Sequence, residues 1–238
     1  MKKELLEYSF KNKLAHIPSA LSMIDYLQEV FKYINQKDNI IIGKPFGAQA
    51  YYLIWKKLGW IDNIEKLSMG VKHDEIDFVN YSEETIGNAL GVAAGVALAS
   101  KNKTYVNLSD ACLQMGNTLE AIQFIGKHQL NIFVTIDYNN SQVTGSCSDI
   151  IPIEPVFDFF NKNGWDLKFV DNNDLESINK NIKMDYNSNK PTVLVIKTKK
   201  GNGFKSIEND IKKWHYKKIE SQEELDMLYK EFNEKNIK

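Results

Sequence analysis

Short apolar runs alternate with longer amphipathic segments through most of this chain, and that alternation restricts the fold more than any composition figure does. "TYVNLS" (104–109), "NIFVTID" (131–137), "DLKFVD" (166–171) and "PTVLVIKT" (191–198) have the length and β-branched content of strands. Between them lie "LQMGNTLEAIQFIGKH" (113–128), "VFDFFNKNG" (156–164) and "DLESINKNIK" (174–183), with apolar residues at helical spacing. Parallel neighbours need a crossover long enough for a helix, so this order predicts a parallel sheet. Upstream, "SALSMIDYLQEVFKYI" (19–34) reads as a helix, "NIIIGK" (39–44) as a buried strand and "AQAYYLIWKKLGWI" (48–61) as a second helix. The small, apolar "TIGNALGVAAGVALAS" (85–100) predicts a buried packing helix.

The expected fold class is therefore α/β, a doubly wound, mainly parallel sheet with helices on both faces, in a single domain over 1–238. After Lys200 no strand is expected. A Lys-rich loop leads into the helix "SQEELDMLYKEFNEK" (221–235), with Ser221 and Glu224 at capping-box spacing.

Composition removes several function classes. Thirty Lys and Arg stand against 31 acids, a net charge of -1, so no basic field argues for nucleic acid. No run approaches the roughly 20 apolar residues that span a bilayer, and "MKKELLEYSF" lacks an apolar leader, so no membrane role is expected. Two cysteines, Cys112 and Cys147, make no disulfide framework and suit a reducing compartment such as the cytoplasm.

In doubly wound sheets ligands gather beyond the carboxyl ends of the strands. Asp110 follows "YVNLS", and the polar loop "YNNSQVTG" (138–145) follows "FVTID". Alone, Asp110 reads as a helix cap and Asn139 as a turn former. Side by side at adjacent strand ends they would give one carboxylate and one amide oxygen. Such a set suits Mg²⁺ or Ca²⁺ that also holds a ligand's phosphate oxygens.

"SDACLQMGNTLEAIQFIGKHQLNIFVTIDYNNSQVTG" (109–145) resembles the thiamine diphosphate motif of transketolases, which opens on Gly-Asp-Gly and ends in an Asn-bearing strand-end loop. Four more segments resemble that family in the same order: "LAHIPSALSMIDYLQEVF", "DNIIIGKPFGAQAYYLIWKKLGWI", "ETIGNALGVAAGVALA" and "KTKKGNGFKSIENDIKKWHYK". The resemblance implies that Asp110, Asn139 and the carbonyl of Ser141 hold the divalent ion. It implies further that Ala111, Ile86, Gly87 and His215 line the cofactor, and that His16 and His73 line the substrate channel beside the catalytic His215. The fourth histidine, His128, sits on the helix before a strand and reads as structural.

Departures from the family pattern are specific. Ser109 and Ala111 replace the two glycines flanking the Asp, Met115 replaces a Glu, and "GKPFG" places Phe46 where the family has a His, keeping Lys44. The resemblance covers only the diphosphate-binding part of a transketolase. It therefore implies a heterotetramer formed with a separate pyrimidine-binding subunit, and two-carbon ketol transfer between sugars or sugar phosphates. A noncatalytic or regulatory chain of the same origin, or the alpha chain of a 2-oxo acid dehydrogenase, are the alternatives.

Overall fold

The computed structural model describes residues 1–235, so the last three residues of the expected 1–238 domain lie outside the described residues. The chain divides into two compact units, one of residues 1–28, 46–71 and 198–238 and one of residues 29–45 and 72–197.

All six strands belong to the second unit: β1 (Asn39–Ile42), β2 (Val79–Ser82), β3 (Thr104–Ser109), β4 (Ile132–Tyr138), β5 (Asp166–Asp171) and β6 (Thr192–Lys197). They form one sheet in the order β2-β1-β3-β4-β6-β5, and every pairing is parallel. The connections leave β1 and β3 in opposite directions, so the switch in strand order falls between these two neighbours, where their carboxyl ends open a crevice.

Helices α1 (Lys2–Lys11), α2 (Ile17–Val30) and α3 (Gln49–Lys57) precede the long stretch of the sheet. Helices α4 (Ala89–Ala99), α5 (Gly116–His128), α6 (Cys147–Ile150), α7 (Glu154–Lys162) and α8 (Leu175–Tyr186) lie among the strands. Helices α9 (Lys205–Glu208), α10 (Ile211–Tyr216) and α11 (Gln222–Lys235) follow the last strand. Successive strand residues point to opposite faces. On β5, Phe169 meets Phe157 of α7 at 5.1 Å between rings, while its neighbour Lys168 bonds Asp185 of α8. Helices α7 and α8 therefore cover opposite faces, as the doubly wound expectation requires.

One face carries the main core. Val106, Leu108, Val134, Ile136, Val193 and Val195 alternate along the central strands and pack with residues of α4, α5 and α7. Tyr105 and Phe133 point to the other face, where Phe31 stacks edge-on against Tyr105. Close approach of α5 to the 163 turn depends on Gly126, since a Cβ there would sit 1.8 Å from the carbonyl oxygen of Asn163.

The other unit is helical. Its α1 packs on α3 and α11, Tyr8 donates to the carbonyl of Ile64 at 2.5 Å, and Phe204 stacks on Phe232.

Five expectations need correction. The first residues, read only for a leader, form α1, whose Leu5 and Leu6 are buried. Strand β2 gave no signal because only Val79 of its four residues is buried. The stretch expected as one helix over 113–128 is broken at Met115, whose extended backbone (φ -94°, ψ 130°) separates a 3-10 turn over Asp110–Gln114 from α5. The Lys-rich loop after Lys200 winds into α9 and α10. The 85–100 helix is buried on one side only: Ala93 and Ala94 face the core, but Gly91 and Gly95 are not buried and Leu98 is 58% exposed.

Candidate functional site

In the sheet unit, β3 and β4 pair with Ser109 opposite Asp137, which brings the next residues of both strands to one edge. Asp110 is 1% exposed. Its Oδ2 accepts from the backbone N–H of Asn139 at 3.0 Å and of Asn140 at 2.6 Å, and its Oδ1 from that of Ala111 at 2.9 Å. Among the described residues no Lys, Arg or His pairs with this carboxylate. A buried carboxylate satisfied by amides but facing no counter-charge is poised for a cation.

The loop after β4 is shaped by its own side chains. Asn139 Oδ1 accepts from the N–H of Ser141 at 3.1 Å, an Asx turn that directs the following backbone. Asn140 takes a left-handed φ of 55°, and its amide engages the N–H and hydroxyl of Ser148. Asn139 and Asn140 are thus differently employed: the first next to Asp110, the second turned toward α6.

Ser109 does not strain the site. Its φ of -89° is ordinary for any residue, and its hydroxyl lies 3.2 Å from the thiol of Cys112. Gly87 takes φ 122°, which favours glycine, and an added Cβ would stand 3.0 Å from Met115. Its N–H donates to Glu83, as do those of Asn88 and Ala89, so one buried carboxylate caps the start of α4. Burial pushes the Glu83 carboxyl upward, against the three amides that favour its ionised form. Sequence reading passed over Glu83; the signal available was an acid six residues before a helix, a spacing that fits no standard cap. At the end of β1, Lys44 bonds Asp137 of β4, a buried pair beside Asp110 in the same row of strand ends.

The helical unit gathers a second cluster. His16 is 5% exposed, its ring 4.8 Å from Phe46 and, edge-on, 4.8 Å from His215 and 5.7 Å from Tyr216. Its backbone is left-handed at φ 58°, with the N–H donating to the carbonyl of His215 at 3.3 Å. The Nδ1 atom of His16 has no hydrogen-bond partner among the described residues. Burial, with His215 and Lys200 nearby, pushes the His16 imidazole down to about 4; burial and Lys200 lower His215 as well. Both rings are therefore neutral near pH 7. Lys200, itself 5% exposed, is a charged member of this cluster that sequence reading missed, because lysine is too common in the chain for one to stand out.

His73 lies in the sheet unit on an exposed segment, so it shares neither the burial nor the ring contacts of His16 and His215. His128 is exposed on α5, its ring 4.4 Å from Phe124, in keeping with a structural role.

The His16 shift has a consequence for stability. Unfolded histidine titrates near 6.5 and folded His16 near 4, so between these values the unfolded chain binds a proton that the folded one refuses. Stability is full above about 6.5 and falls as the pH drops toward about 4, by on the order of 3 kcal/mol from this group. Urea unfolding from pH 7 to pH 4 should show a shallower loss in His16→Gln than in the unaltered protein. Parallel curves would refute the buried neutral imidazole.

Comparison with known proteins gives these two clusters a common context. The family model described as "Transketolase, thiamine diphosphate binding domain" matches residues 91–230, more than half of the chain. One of the named subunits of the apulose-4-phosphate transketolase of Phocaeicola vulgatus is 26% identical over 240 residues, covering 90% of this chain and 85% of that protein. The 6-deoxy-6-sulfo-D-fructose transketolase subunit SqwG of a Clostridium species is 23% identical, covering 85% and 83%. Mouse transketolase is 27% identical over 201 residues, but the chain spans only 31% of its length. Among solved structures, a transketolase variant from Pichia stipitis superposes with a TM-score of 0.74 at 21% identity, covering 99% of this chain and 43% of that one; this likeness bears on the fold alone. The 2-oxo acid dehydrogenase alternative is not favoured by these matches. The parallel sheet, the strand-end pairing of Asp110 with the 139–141 loop and the matched family model lead to one conclusion: this chain belongs to the transketolase family, in its thiamine diphosphate-binding domain.

Proposed function

We propose that this chain is the diphosphate-binding subunit of a two-chain transketolase that moves a two-carbon ketol unit from a ketose to an aldose. The observation that carries this reading is the Asp110 carboxylate, buried, fixed by three backbone amides and without a basic partner among the described residues. The residues present fit a divalent cation holding a diphosphate: Asp110 supplies the charge, and Asn139 and the Ser141 carbonyl supply neutral oxygens. Mg²⁺ suits this set best, with Ca²⁺ as a substitute. Ala111, Ile86 and Gly87 border the cofactor. Thiamine diphosphate, when bound, supplies a nucleophilic carbon and an electron sink.

The protein's own residues do the rest. His16 and His215, kept neutral by burial, each offer a donor and an acceptor to a sugar hydroxyl or carbonyl and can pass a proton at neutral pH. His73, on its exposed segment, is a third histidine assigned to the substrate channel. Phe46 against His16 gives that channel an apolar wall, a feature that bears on which sugar or sugar phosphate is accepted.

The partner is a second polypeptide carrying the pyrimidine-binding domain, in a heterotetramer of two copies of each. The subunit names of the Phocaeicola and Clostridium relatives support a divided enzyme. The uncharged, half-exposed α4 supports a protein contact. Cys112 and Cys147, both buried thiols outside any disulfide among the described residues, suit the cytoplasm.

The test is to co-purify this chain with the product of an adjacent reading frame and measure ketol transfer from a ketose donor to an aldose acceptor, with and without Mg²⁺. Transfer that needs both chains and the ion is expected. Turnover by this chain alone, or none by the pair with any ketose, would defeat the reading.

A further inference from the structure

Gln114 ends the 3-10 turn that begins at Asp110, and its side chain makes three hydrogen bonds to the loop after β4. Its Nε2 donates to the carbonyl of Ile151 at 2.7 Å and of Cys147 at 3.1 Å. Its Oε1 accepts from Nε2 of Gln142 at 3.1 Å. The loop so held is the one that carries Asn139 and Ser141, and it closes on itself through Gln142 N–H to the Gly145 carbonyl and Cys147 N–H to the Asn140 carbonyl.

From this we infer that Gln114 is a positioning residue for the metal and diphosphate site: it ties the loop that bears Asn139 and Ser141 to the turn that bears Asp110. The inference rests on the proposed function. A glutamine is required by the chemistry of the tie. Two carbonyls need two N–H donors and the Gln142 amide needs an acceptor, and only a carboxamide provides both from one side chain. A carboxylate of the same size would keep the acceptor, lose both donors and face two carbonyl oxygens. Asparagine is one methylene shorter. Polar partners behind metal ligands set their orientation, and their loss commonly costs roughly 10- to 100-fold in metal affinity.

The experiment uses the full chain with thiamine diphosphate, titrated with Mn²⁺ and followed by the electron paramagnetic resonance of the free ion. Gln114→Glu and Gln114→Ala should both raise the half-saturating Mn²⁺ concentration by about 10- to 100-fold. Amide hydrogen exchange without cofactor should show faster exchange over residues 142–151 in both variants, while the strands of the sheet stay protected. A role in bulk packing alone would let the isosteric Glu variant behave as the unaltered protein. Affinity within twofold of wild type in both variants, in a protein whose Asp110→Asn form has lost Mn²⁺ binding, would overturn the positioning role and leave the metal site standing. Failure of the unaltered chain to bind Mn²⁺ would instead remove the metal site, and unchanged exchange over 142–151 would remove the tie independently.

Discussion

Asp110→Ala should lower Mg²⁺-dependent affinity for thiamine diphosphate by at least about 100-fold, the upper end of what losing even a supporting residue of a metal site costs. The reasoning starts from charge. In the proposed site Asp110 is the one anionic ligand, whereas Asn139 and the Ser141 carbonyl are neutral. Its removal leaves the cation nothing to offset the cost of leaving water except the diphosphate itself. The substitution also strands three backbone N–H groups, of Ala111, Asn139 and Asn140, which together cost a few kcal/mol if buried without partners. Asp110→Asn separates the two effects, because it removes the charge yet keeps one acceptor oxygen for those amides. Calorimetric titration with cofactor, in Mg²⁺ and again in excess chelator, gives the measurement. Both variants should match wild type in chelator and fall far below it in Mg²⁺. A variant that keeps its Mg²⁺-dependent affinity would end the assignment of Asp110 as metal anchor.

Lys44→Met should destabilise the folded chain by roughly 3–5 kcal/mol, the range found when one partner of a buried ion pair is removed. Asp137 is fully buried on the central strand β4, and Lys44, two residues past the end of β1, is nearly so. Without the ammonium, the carboxylate must either stay charged in a poorly solvating interior or take up a proton. The double variant Lys44→Met/Asp137→Asn should be less destabilised than the sum of its single changes, since the two groups interact directly and their effects are not independent. Urea unfolding of the four proteins supplies the cycle. A cost under about 1 kcal/mol for Lys44→Met would mean that the pair is well solvated and contributes as little as a surface one. The pair also stands beside Asp110, so its loss should weaken cofactor binding secondarily. That effect belongs with folding and not with chemistry, because neither Lys44 nor Asp137 is proposed to touch the ion.

How much of this was legible beforehand depends on the range of the interaction. Strands β3 and β5 fall where the sequence pattern predicts them, residue for residue: β3 because five of its six residues are buried, and β5, an edge strand with only Val170 buried, because its short run stands between two helical segments. The capping of α11 was also legible, since Ser221 accepts from the N–H of Glu224 three residues on; the return bond differs slightly, Glu224 reaching the N–H of Glu220. Strand β2 was not legible, being an edge strand with one buried residue whose place is fixed by pairing with β1. The break at Met115 was not legible either. A helical period runs through it, but Asp110 must stay at the strand end, so the chain takes a tight turn before α5 can start.

For the site, the sequence places Asp110 and Asn139 at neighbouring strand ends, but it does not reach how their side chains are employed. Asp110 and Asn139 were paired through the topology of a parallel sheet, and the neighbouring strands do bring Asp110 to the backbone of Asn139. The roles of Gln114 and Lys200 lay beyond reach, because they depend on partners distant in sequence or on burial that no local pattern encodes, whereas Glu83 bonds amides only four to six residues on, at a spacing that fits no standard cap. Ser109 stands where the family pattern has a glycine, yet its backbone is ordinary and its side chain turns to Cys112.

By itself, then, the sequence determined the alternation of strands and helices, the parallel sheet that follows from it, and the acid and amide placed after two of its strands. Those are consequences of period and of crossover length, and both are local. Only the tertiary structure decided that Asp110 faces backbone amides and, among the described residues, no basic side chain, that His16 and His215 share one cluster, and that a single glutamine laces the loop to the turn. Burial and hydrogen bonding between distant segments set those facts, and they exist only once the chain has closed on itself.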